Sequence, residues 1–219
     1  LPDNSEFISA ASDKTLRFTN HRTGESKLLV TLPVSVKSID IKNVGKWLAG
    51  VSPSGELILV DLTNNAFKVV MRESPTRVLS VAFHPTRPII AYGTEWLNEK
   101  GVPFKGTVKL YDMLFEKQVK ELGGHKAGIS DLEFSPNGKL LASAGLDKRL
   151  QMWVVDEEED LPIQMDNNNE QVWDLGFTSA SDFLLTSCNK GEIRVWPTNP
   201  AMLAEQICPK LSRNMTIEE

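Results

Sequence analysis

The stretch GGHKAGISDLEFSPNGKLLASAGLDKRLQMW, residues 123–153, decides the fold of this 219-residue chain. It consists of short runs that alternate apolar and polar residues, and Pro, Gly, Asn or Asp separates each run from the next. Alternation with a period of two indicates β-strands with one buried face, and the separating residues favour tight turns. The stretch therefore predicts antiparallel strands joined by short connections rather than helices.

The same pattern recurs along the chain. A second clear copy is EQVWDLGFTSASDFLLTSCNKGEIRVW, residues 170–196, and earlier copies start at Val36 and Thr76. The first strand of successive units ends at an apolar residue, and these residues are Ile41, Phe83, Phe134 and Phe177. They lie 42, 51 and 43 residues apart. The excess in the middle interval falls at residues 97–105, which we predict to be an inserted loop.

The unit that ends at Trp153 resembles a WD repeat. It carries the residues typical of that family, which are Gly124, His125, Ser143, Asp147 and Trp153, and WD repeats are about 40–45 residues long. In that family each repeat forms a four-stranded antiparallel blade, and the blades surround a central channel. The resemblance implies that His125 joins Asp147 and Ser143, and that Ser143 reaches the Trp153 indole.

The other units keep less of this motif. The position of Asp147 is occupied by Asp13, Ser54, Lys105 and Lys190, and that of Trp153 by Thr19, Val60, Tyr111 and Trp196. The spacing and the alternation nevertheless extend over nearly the whole chain. The sequence therefore predicts an all-β protein, a WD-repeat β-propeller of about five blade units.

The predicted boundaries give three whole blades between two incomplete ones. We expect a partial blade without its inner strand at 1–32, blades at 33–73, 74–122 and 123–165, a last blade without its outer strand at 166–198, and a short helix and tail at 199–219. An open row of blades would expose unpaired strand edges. We therefore expect the chain to be part of a larger, seven-bladed ring whose other blades lie upstream.

The tail adds a second resemblance. The segment from Met202 to Leu211 has apolar residues at helical spacing, and it precedes Arg213-Asn214-Met215-Thr216. This order is similar to the segment after the last blade of propellers in large bacterial signalling proteins of the STAND NTPase-like or caspase-like type. The resemblance implies a C-terminal sensor or scaffold propeller that acts on an upstream effector domain of the same polypeptide.

The composition excludes several classes of function. The formal net charge is −5 and the isoelectric point is about 5.4, which argues against a nucleic-acid groove. There is no apolar run of about 20 residues, as a membrane helix requires. The two cysteines, Cys188 and Cys208, form no framework of disulfides or zinc ligands, so we expect reduced thiols and a cytoplasmic protein.

Motifs of catalysis and cofactor binding are absent from the sequence. We find no GxSxG elbow, no P-loop and no GxGxxG after a strand, and we expect no cofactor and no metal. The acidic run at residues 156–160 lacks the ligand pattern of a calcium loop and is interpreted as a solvated connection. An enzyme built on channel carboxylates is an alternative, with Asp40, Asp131 and Asp174 at equivalent first-strand positions. We interpret these three as structural acceptors or channel lining.

The predicted binding residues lie on the top face, where fourth-to-first and second-to-third strand connections emerge. By analogy with WD repeats, the residue before each first strand and the second residue along it point there: Ser35 and Lys37, Arg77 and Leu79, Gly128 and Ser130, Gln171 and Trp173. The strand connections add Trp96, Phe104, Lys105, Leu146 and Asn189. Arg77 and Trp173 are the leading candidates, because Arg and Trp dominate interface energies. Packing of Trp173 against a neighbouring blade is the alternative.

These observations together predict a non-enzymatic scaffold that binds a protein or peptide. Fixed strands would present the top-face side chains, and the partner would contact Arg77, Trp173 and the inserted loop. Two other functions remain open from the sequence, which are a propeller-based enzyme and a purely structural assembly scaffold.

Overall fold

The computed structural model of the protein describes residues 6–42, 46–73, 76–156, 161–165 and 170–199. Within these ranges the chain forms five antiparallel sheets, which we number as blades 1 to 5. Blade 1 contains β1 (Glu6–Ala10), β2 (Thr15–Asn20) and β3 (Ser26–Thr31). Blade 2 contains β4 (Ser38–Ile41), β5 (Trp47–Val51), β6 (Glu56–Asp61) and β7 (Ala66–Arg72).

Blade 3 contains β8 (Thr76–Phe83), β9 (Ile89–Leu97), β10 (Pro103–Asp112) and β11 (Lys117–His125). Blade 4 contains β12 (Ile129–Phe134), β13 (Leu140–Gly145), β14 (Leu150–Val154) and β15 (Ile163–Met165). Blade 5 contains β16 (Val172–Phe177), β17 (Phe183–Cys188) and β18 (Ile193–Pro197), with a 3₁₀ turn at Asn189–Gly191. Strands pair in chain order within every blade, so each blade is a meander.

The first strands of blades 2 to 5 are the innermost ones. β4, β8, β12 and β16 adjoin one another in that order and line a cavity of about 380 Å³, which we call the channel. Blades 2, 3 and 4 have four strands, whereas blades 1 and 5 have three within the described residues. The all-β architecture of repeated four-stranded antiparallel sheets confirms the predicted fold class.

The hydrophobic core lies between the blades as four separate layers. Blade 4 shows how the sequence builds them. Leu141 and Trp153 pack toward blade 3, whereas Ala142 and Leu150 pack toward blade 5. Successive residues of a strand point to opposite faces, and both faces of this sheet are covered. The middle strands are therefore apolar at nearly every position.

Two predicted boundaries in blade 3 are corrected by the structure. The connection predicted at 97–105 is shorter in the structure, because β9 extends to Leu97 and β10 begins at Pro103, which leaves residues 98–102 as the connection. In this hairpin Trp96 pairs with Lys105 and Leu97 with Pro103. The Asn98 side chain closes its turn by accepting hydrogen bonds from two backbone N–H groups. In addition, β11 continues to His125, so the boundary predicted after residue 122 cuts through a strand.

Several predictions concern residues outside the described ranges. They are the helix at Met202–Leu211, the motif Arg213–Thr216 and most of the acidic run at 156–160. Of that run the structure describes Asp156, which forms an ion pair with Arg87 at 2.6 Å. None of the described segments forms a helix that is long and apolar enough to cross a membrane.

Candidate protein-binding face

Four of the predicted residues lie at equivalent positions of four blades, at the channel mouth on the top face. The inner strands β8, β12 and β16 each contain a register shift at Leu79, Ser130 and Trp173, respectively. A β-bulge of this kind turns a side chain out of the regular alternation. Lys37 lies at the same distance from the end of its inner strand, four residues before Ile41. The chain thus repeats one side-chain position at the mouth in four successive blades.

Trp173 is fixed at the mouth in an exposed position. Its indole Nε1 donates a hydrogen bond to Asn189 Oδ1 at 2.6 Å, and 52% of the residue is accessible to solvent. The backbone N–H of Asn189 in turn donates to the Gln171 carbonyl at 3.1 Å. The structure therefore brings three predicted residues together. Trp173 is held by its own blade, and about half of it remains exposed.

Arg77 is only half available to a partner, because it covers a buried carboxylate. Its Nη1 lies 3.1 Å from Glu95 Oε2, and the exposed fractions of the two side chains are 48% and 4%. A Cβ atom at Gly128 would lie 2.7 Å from Glu95 Oε1, so this glycine makes room for the acid. Sequence reasoning missed Glu95. The one signal is an acidic residue inside the apolar strand IIAYGTEWL.

The raised hairpin of blade 3 carries an aromatic pair with different roles. Trp96 is half-buried, with the ammonium groups of Lys105 and Lys109 at 5.7 and 5.5 Å from its ring centre. Phe104 is 54% exposed on the same hairpin. Trp96 therefore supports the hairpin, while Phe104 is the aromatic side chain that it presents to solvent.

Ser130 and Leu146 are less suited to partner contacts than the sequence suggests. The Ser130 hydroxyl lies 3.0 Å from both the Ala144 and the Val172 carbonyl oxygens, so it is engaged within the protein. Leu146 is partly buried, and its N–H donates to the Gly128 carbonyl at 2.8 Å. Both residues therefore make contacts within the protein, and their role in binding a partner stays a prediction.

The polar network expected below the surface in blade 4 is present in part. His125 Nδ1 lies 3.0 Å from Asp147 Oδ1, and His125 Nε2 lies 2.8 Å from Ser143 Oγ. The expected bond from Ser143 to the indole is not formed, because Trp153 Nε1 is buried without a hydrogen-bond partner. In blade 5 the equivalent pair is formed, with Trp196 Nε1 donating to Thr186 Oγ1 at 3.1 Å.

The backbone conformation at Gly124 explains why the motif has glycine at this position. Its φ is +130°, and a Cβ atom there would lie 2.6 Å from Gln151 Nε2. Gln151 is fully buried and fills the space beside it. Left-handed backbone and close approach both require glycine at this position.

Blade 3 replaces the histidine network with a buried ion pair that the sequence did not indicate. Tyr92 pairs with Lys109 across the strands as Ser143 pairs with Gln151 in blade 4. Lys109 Nζ lies 2.6 Å from Glu73 Oε1, and the Tyr92 hydroxyl donates to the same carboxylate at 3.2 Å. Burial, followed by the negative charge of Glu73, raises the pKa of Tyr92. The phenol therefore stays protonated and keeps donating.

The channel carboxylates bind backbone N–H groups of the next blade. Asp40 Oδ2 accepts from Phe83 N at 2.6 Å, and Glu133 Oε2 accepts from Phe177 N at 2.9 Å. Asp131 Oδ2 accepts from Leu175 N at 2.8 Å. The predicted equivalence of Asp40, Asp131 and Asp174 is therefore wrong. Asp40 corresponds to Glu133, because each of these two residues lies one position before the end of its inner strand. Asp131 corresponds to Asp174.

These carboxylates titrate unusually because they lie inside the channel wall. Burial raises the pKa of Glu133 to about 7. Burial and the neighbouring Asp174 carboxylate also raise the pKa of Asp131. Among the described residues, no group of three or more His, Cys, Asp or Glu side chains is arranged to hold a metal ion.

Comparison with known proteins agrees with this geometry. Residues 116–154 and 162–197 match the family model described as "WD domain, G-beta repeat". Human Striatin-3 is 27% identical over 240 aligned positions, which cover 93% of this chain and 29% of that protein. The bovine serine-threonine kinase receptor-associated protein is 27% identical over 146 positions, covering 67% of this chain and 39% of that protein.

A plant relative and a solved structure complete the comparison. Pre-mRNA-processing factor 19 homolog 2 from Arabidopsis thaliana is 25% identical over 151 positions, 66% of this chain and 27% of that protein. The chain thus spans less than half the length of these curated relatives. A chain in the crystal structure of the Mitotic Checkpoint Complex superposes with a TM-score of 0.73 at 20% identity, over 87% of this chain and 56% of that chain. This protein therefore contains WD repeats and has the WD β-propeller fold.

Proposed function

We propose that the protein is a non-enzymatic scaffold that binds a protein or peptide on its top face. The observation that carries the proposal is the repeated side-chain position at the channel mouth. There Lys37 lies just before β4, and Leu79 and Trp173 lie at the equivalent positions of β8 and β16. Trp173 is half-exposed and held by Asn189. A large aromatic group fixed on a rigid scaffold loses little entropy on binding and is typical of interface hot spots.

The hydrogen bonds of the channel carboxylates favour a binding role over catalysis. Asp40, Asp131 and Glu133 each accept a hydrogen bond from the backbone of the next blade. A carboxylate used in this way joins two blades, and its lone pair is directed into the wall rather than toward a substrate. A propeller-based enzyme remains the alternative, because raised carboxyl pKa values are also typical of general acids.

The proposal extends to a sensor role in a larger signalling protein. It is supported by the resemblance of the tail around Arg213–Thr216, and the matched relatives are themselves longer than this chain. These relatives come from plants and animals, so the bacterial setting rests on the tail alone. The two cysteines, with no disulfide framework in the sequence, support a cytoplasmic location.

A pull-down from the native cell with matched variants tests the binding role. We expect Trp173→Ala combined with Phe104→Ala to reduce partner recovery at least tenfold. Phe115→Ala with Leu114→Ala is the control, because these side chains are even more exposed but lie in the β10–β11 turn on the opposite face. Equal recovery by the two folded double variants would exclude the top face as the binding surface. Partner recovery lost only in the control would place the site on the bottom face.

A further inference from the structure

On the top face, basic side chains of ion pairs are more exposed to solvent than their acidic partners. Two ion pairs show the arrangement. The exposed fractions are 68% for Arg72 and 9% for Glu56, and 48% for Arg77 and 4% for Glu95. A third pair departs from this order, because the Lys109 side chain is 8% exposed and the Glu73 side chain is 15% exposed. The Asp147 carboxylate is likewise covered, beside His125.

The exposed cations closest to the channel mouth lie in the segments that begin the inner strands. Lys37 precedes β4, Arg77 is the second residue of β8, and Lys126 precedes β12. Lys37 and Lys126 are exposed, and neither ammonium group forms an ion pair among the residues that the structure describes. Blade 5 places Trp173 at the same level.

The exposed acids of this face lie away from that set and beside basic residues. Asp13 is followed by Lys14 in the β1–β2 turn, and Glu99 is followed by Lys100 at the hairpin tip. Glu192 forms an ion pair with Arg194 at 3.1 Å. Because the Debye length is about 8 Å at physiological ionic strength, a ligand responds chiefly to the nearest exposed charges. The mouth is therefore locally basic on a chain whose net charge is −5.

We infer that the partner segment bound at the mouth is an acidic peptide, with carboxylate or phosphate groups facing Lys37, Arg77 and Lys126 and an apolar side chain against Trp173. The inference rests on the proposed function and names the chemistry of its partner. Charge complementarity carries it, because a basic peptide would meet the exposed ammonium groups of Lys37 and Lys126. Of the nearby acids, Glu95 is buried and paired with Arg77, and the partly exposed Glu170 already has an interaction of its own. Carboxylate-rich and phosphorylated segments share the anionic chemistry that the site recognises.

Titration of the purified protein with labelled peptides tests the inference. The probes are a twelve-residue peptide with four glutamates around one leucine, the same peptide with phosphoserine in place of two glutamates, and the same peptide with lysine in place of all four. We expect either acidic peptide to bind at least tenfold more tightly than the lysine peptide at low salt. That preference should weaken as the salt concentration rises.

Charge reversal identifies the face. Lys37→Glu with Lys126→Glu should abolish the preference for acidic peptides, whereas Lys139→Glu, an exposed lysine in the β12–β13 turn on the opposite face, should leave it intact. Arg77 is kept because its loss would leave Glu95 buried and unpaired. Equal binding of acidic and lysine peptides, or an unchanged preference in the double variant, would overturn the inference.

Two further outcomes separate this inference from its alternatives. A twelve-nucleotide single-stranded RNA that binds more tightly than both acidic peptides, and whose binding is unaffected by Trp173→Ala, would make the basic mouth a nucleic-acid surface. The two experiments can also disagree. If the Trp173→Ala, Phe104→Ala variant recovers no partner in the pull-down but no peptide binds the wild-type protein, the proposed function stands and the acidic-peptide inference fails. If the pull-down is unchanged by that double variant, the proposed function itself fails.

Discussion

The Lys109 ammonium lies 2.6 Å from the Glu73 carboxylate at the boundary of blades 2 and 3, and the two side chains are 8% and 15% exposed. Glu73 also accepts a hydrogen bond from the buried Tyr92 hydroxyl. The pair occupies the level at which blade 4 places its histidine network. Two adjacent blades thus satisfy the same interface with different chemistry.

Replacing one member of this pair should destabilise the protein strongly. We expect Lys109→Met to lower the free energy of unfolding by about 3 kcal/mol, because the mostly buried Glu73 charge would lose its ammonium partner. Adding Glu73→Gln should recover part of that loss. Urea unfolding of the single and double variants measures both effects.

The exposed pair between Lys68 and Glu116, at 2.8 Å, is the matched control. Lys68→Met should cost far less than Lys109→Met, because solvent screens a surface ion pair. A loss for Lys109→Met no larger than that of the control would show that the Glu73 charge is not confined by burial.

Two glycines with the same backbone conformation should differ in their tolerance of alanine. Gly101 and Gly138 both have φ of +73°, but only Gly138 faces a neighbour, with its Cβ position 2.6 Å from His84 Cε1. Gly101→Ala should cost about 1–2 kcal/mol from the left-handed backbone. Gly138→Ala should cost more by at least about 1 kcal/mol, since His84 is buried and must shift.

Thermal unfolding of both alanine variants checks this difference. His84 Nδ1 accepts from the backbone of Thr86 and Arg87, and its Nε2 faces the Gly138 carbonyl at 3.1 Å. We therefore expect a shift of the His84 ring resonances in Gly138→Ala and none in Gly101→Ala. Equal stability losses in the two variants would contradict the close contact.

Glu133 should make the stability of the protein depend on pH. Its pKa is raised by burial to about 7 in the folded state, against about 4.3 in an unfolded chain. Folding therefore favours the protonated carboxyl, whose contribution is complete below about pH 4 and is lost as the pH rises through 7. Glu133→Gln removes this contribution, and its amide oxygen can still accept from Phe177.

Unfolding free energies of wild type and Glu133→Gln at pH 5 and pH 8 measure the effect. We expect the difference between the two proteins to change by on the order of 2–3 kcal/mol, in favour of the glutamine variant at pH 8. Asp40→Asn should change in the same direction, because burial also raises the pKa of Asp40. A difference that is constant with pH would show that the Glu133 carboxyl is solvated.

Asp147 should contribute more to stability than its sequence equivalent Asp13. Asp147 bonds His125 at 3.0 Å and the backbone N–H of Lys126 at 2.8 Å. Asp147→Ala should cost about 3 kcal/mol, since it removes charged hydrogen bonds and leaves the buried His125 short of a partner. Asp13 bonds only Thr15 in an exposed turn, so Asp13→Ala should cost several-fold less. Urea unfolding at neutral pH compares the two, and equal losses would remove the special role of the histidine network.

The sequence by itself determined the strands, their order and their packing into repeated sheets. Alternation with a period of two and turn residues at regular spacing are local signals. The same signals recur in each unit, as the spacing of Ile41, Phe83, Phe134 and Phe177 shows. These features follow from short-range chemistry, which a single chain displays directly. The link of His125 to Asp147 and Ser143 was implied by the resemblance to WD repeats, and the structure contains it.

Only the tertiary structure decided which side chains of different blades meet. The pairing of Lys109 with Glu73, 36 residues away, and the bonds from Asp131 and Glu133 to blade 5 cross blade boundaries. The hairpin at residues 97–105, the cover of Arg77 over Glu95 and the missing Ser143–Trp153 bond depend likewise on how strands are placed. Such contacts depend on how whole sheets pack against each other. The register and tilt of one blade against the next are fixed by all of its buried side chains together, so no local pattern predicts them.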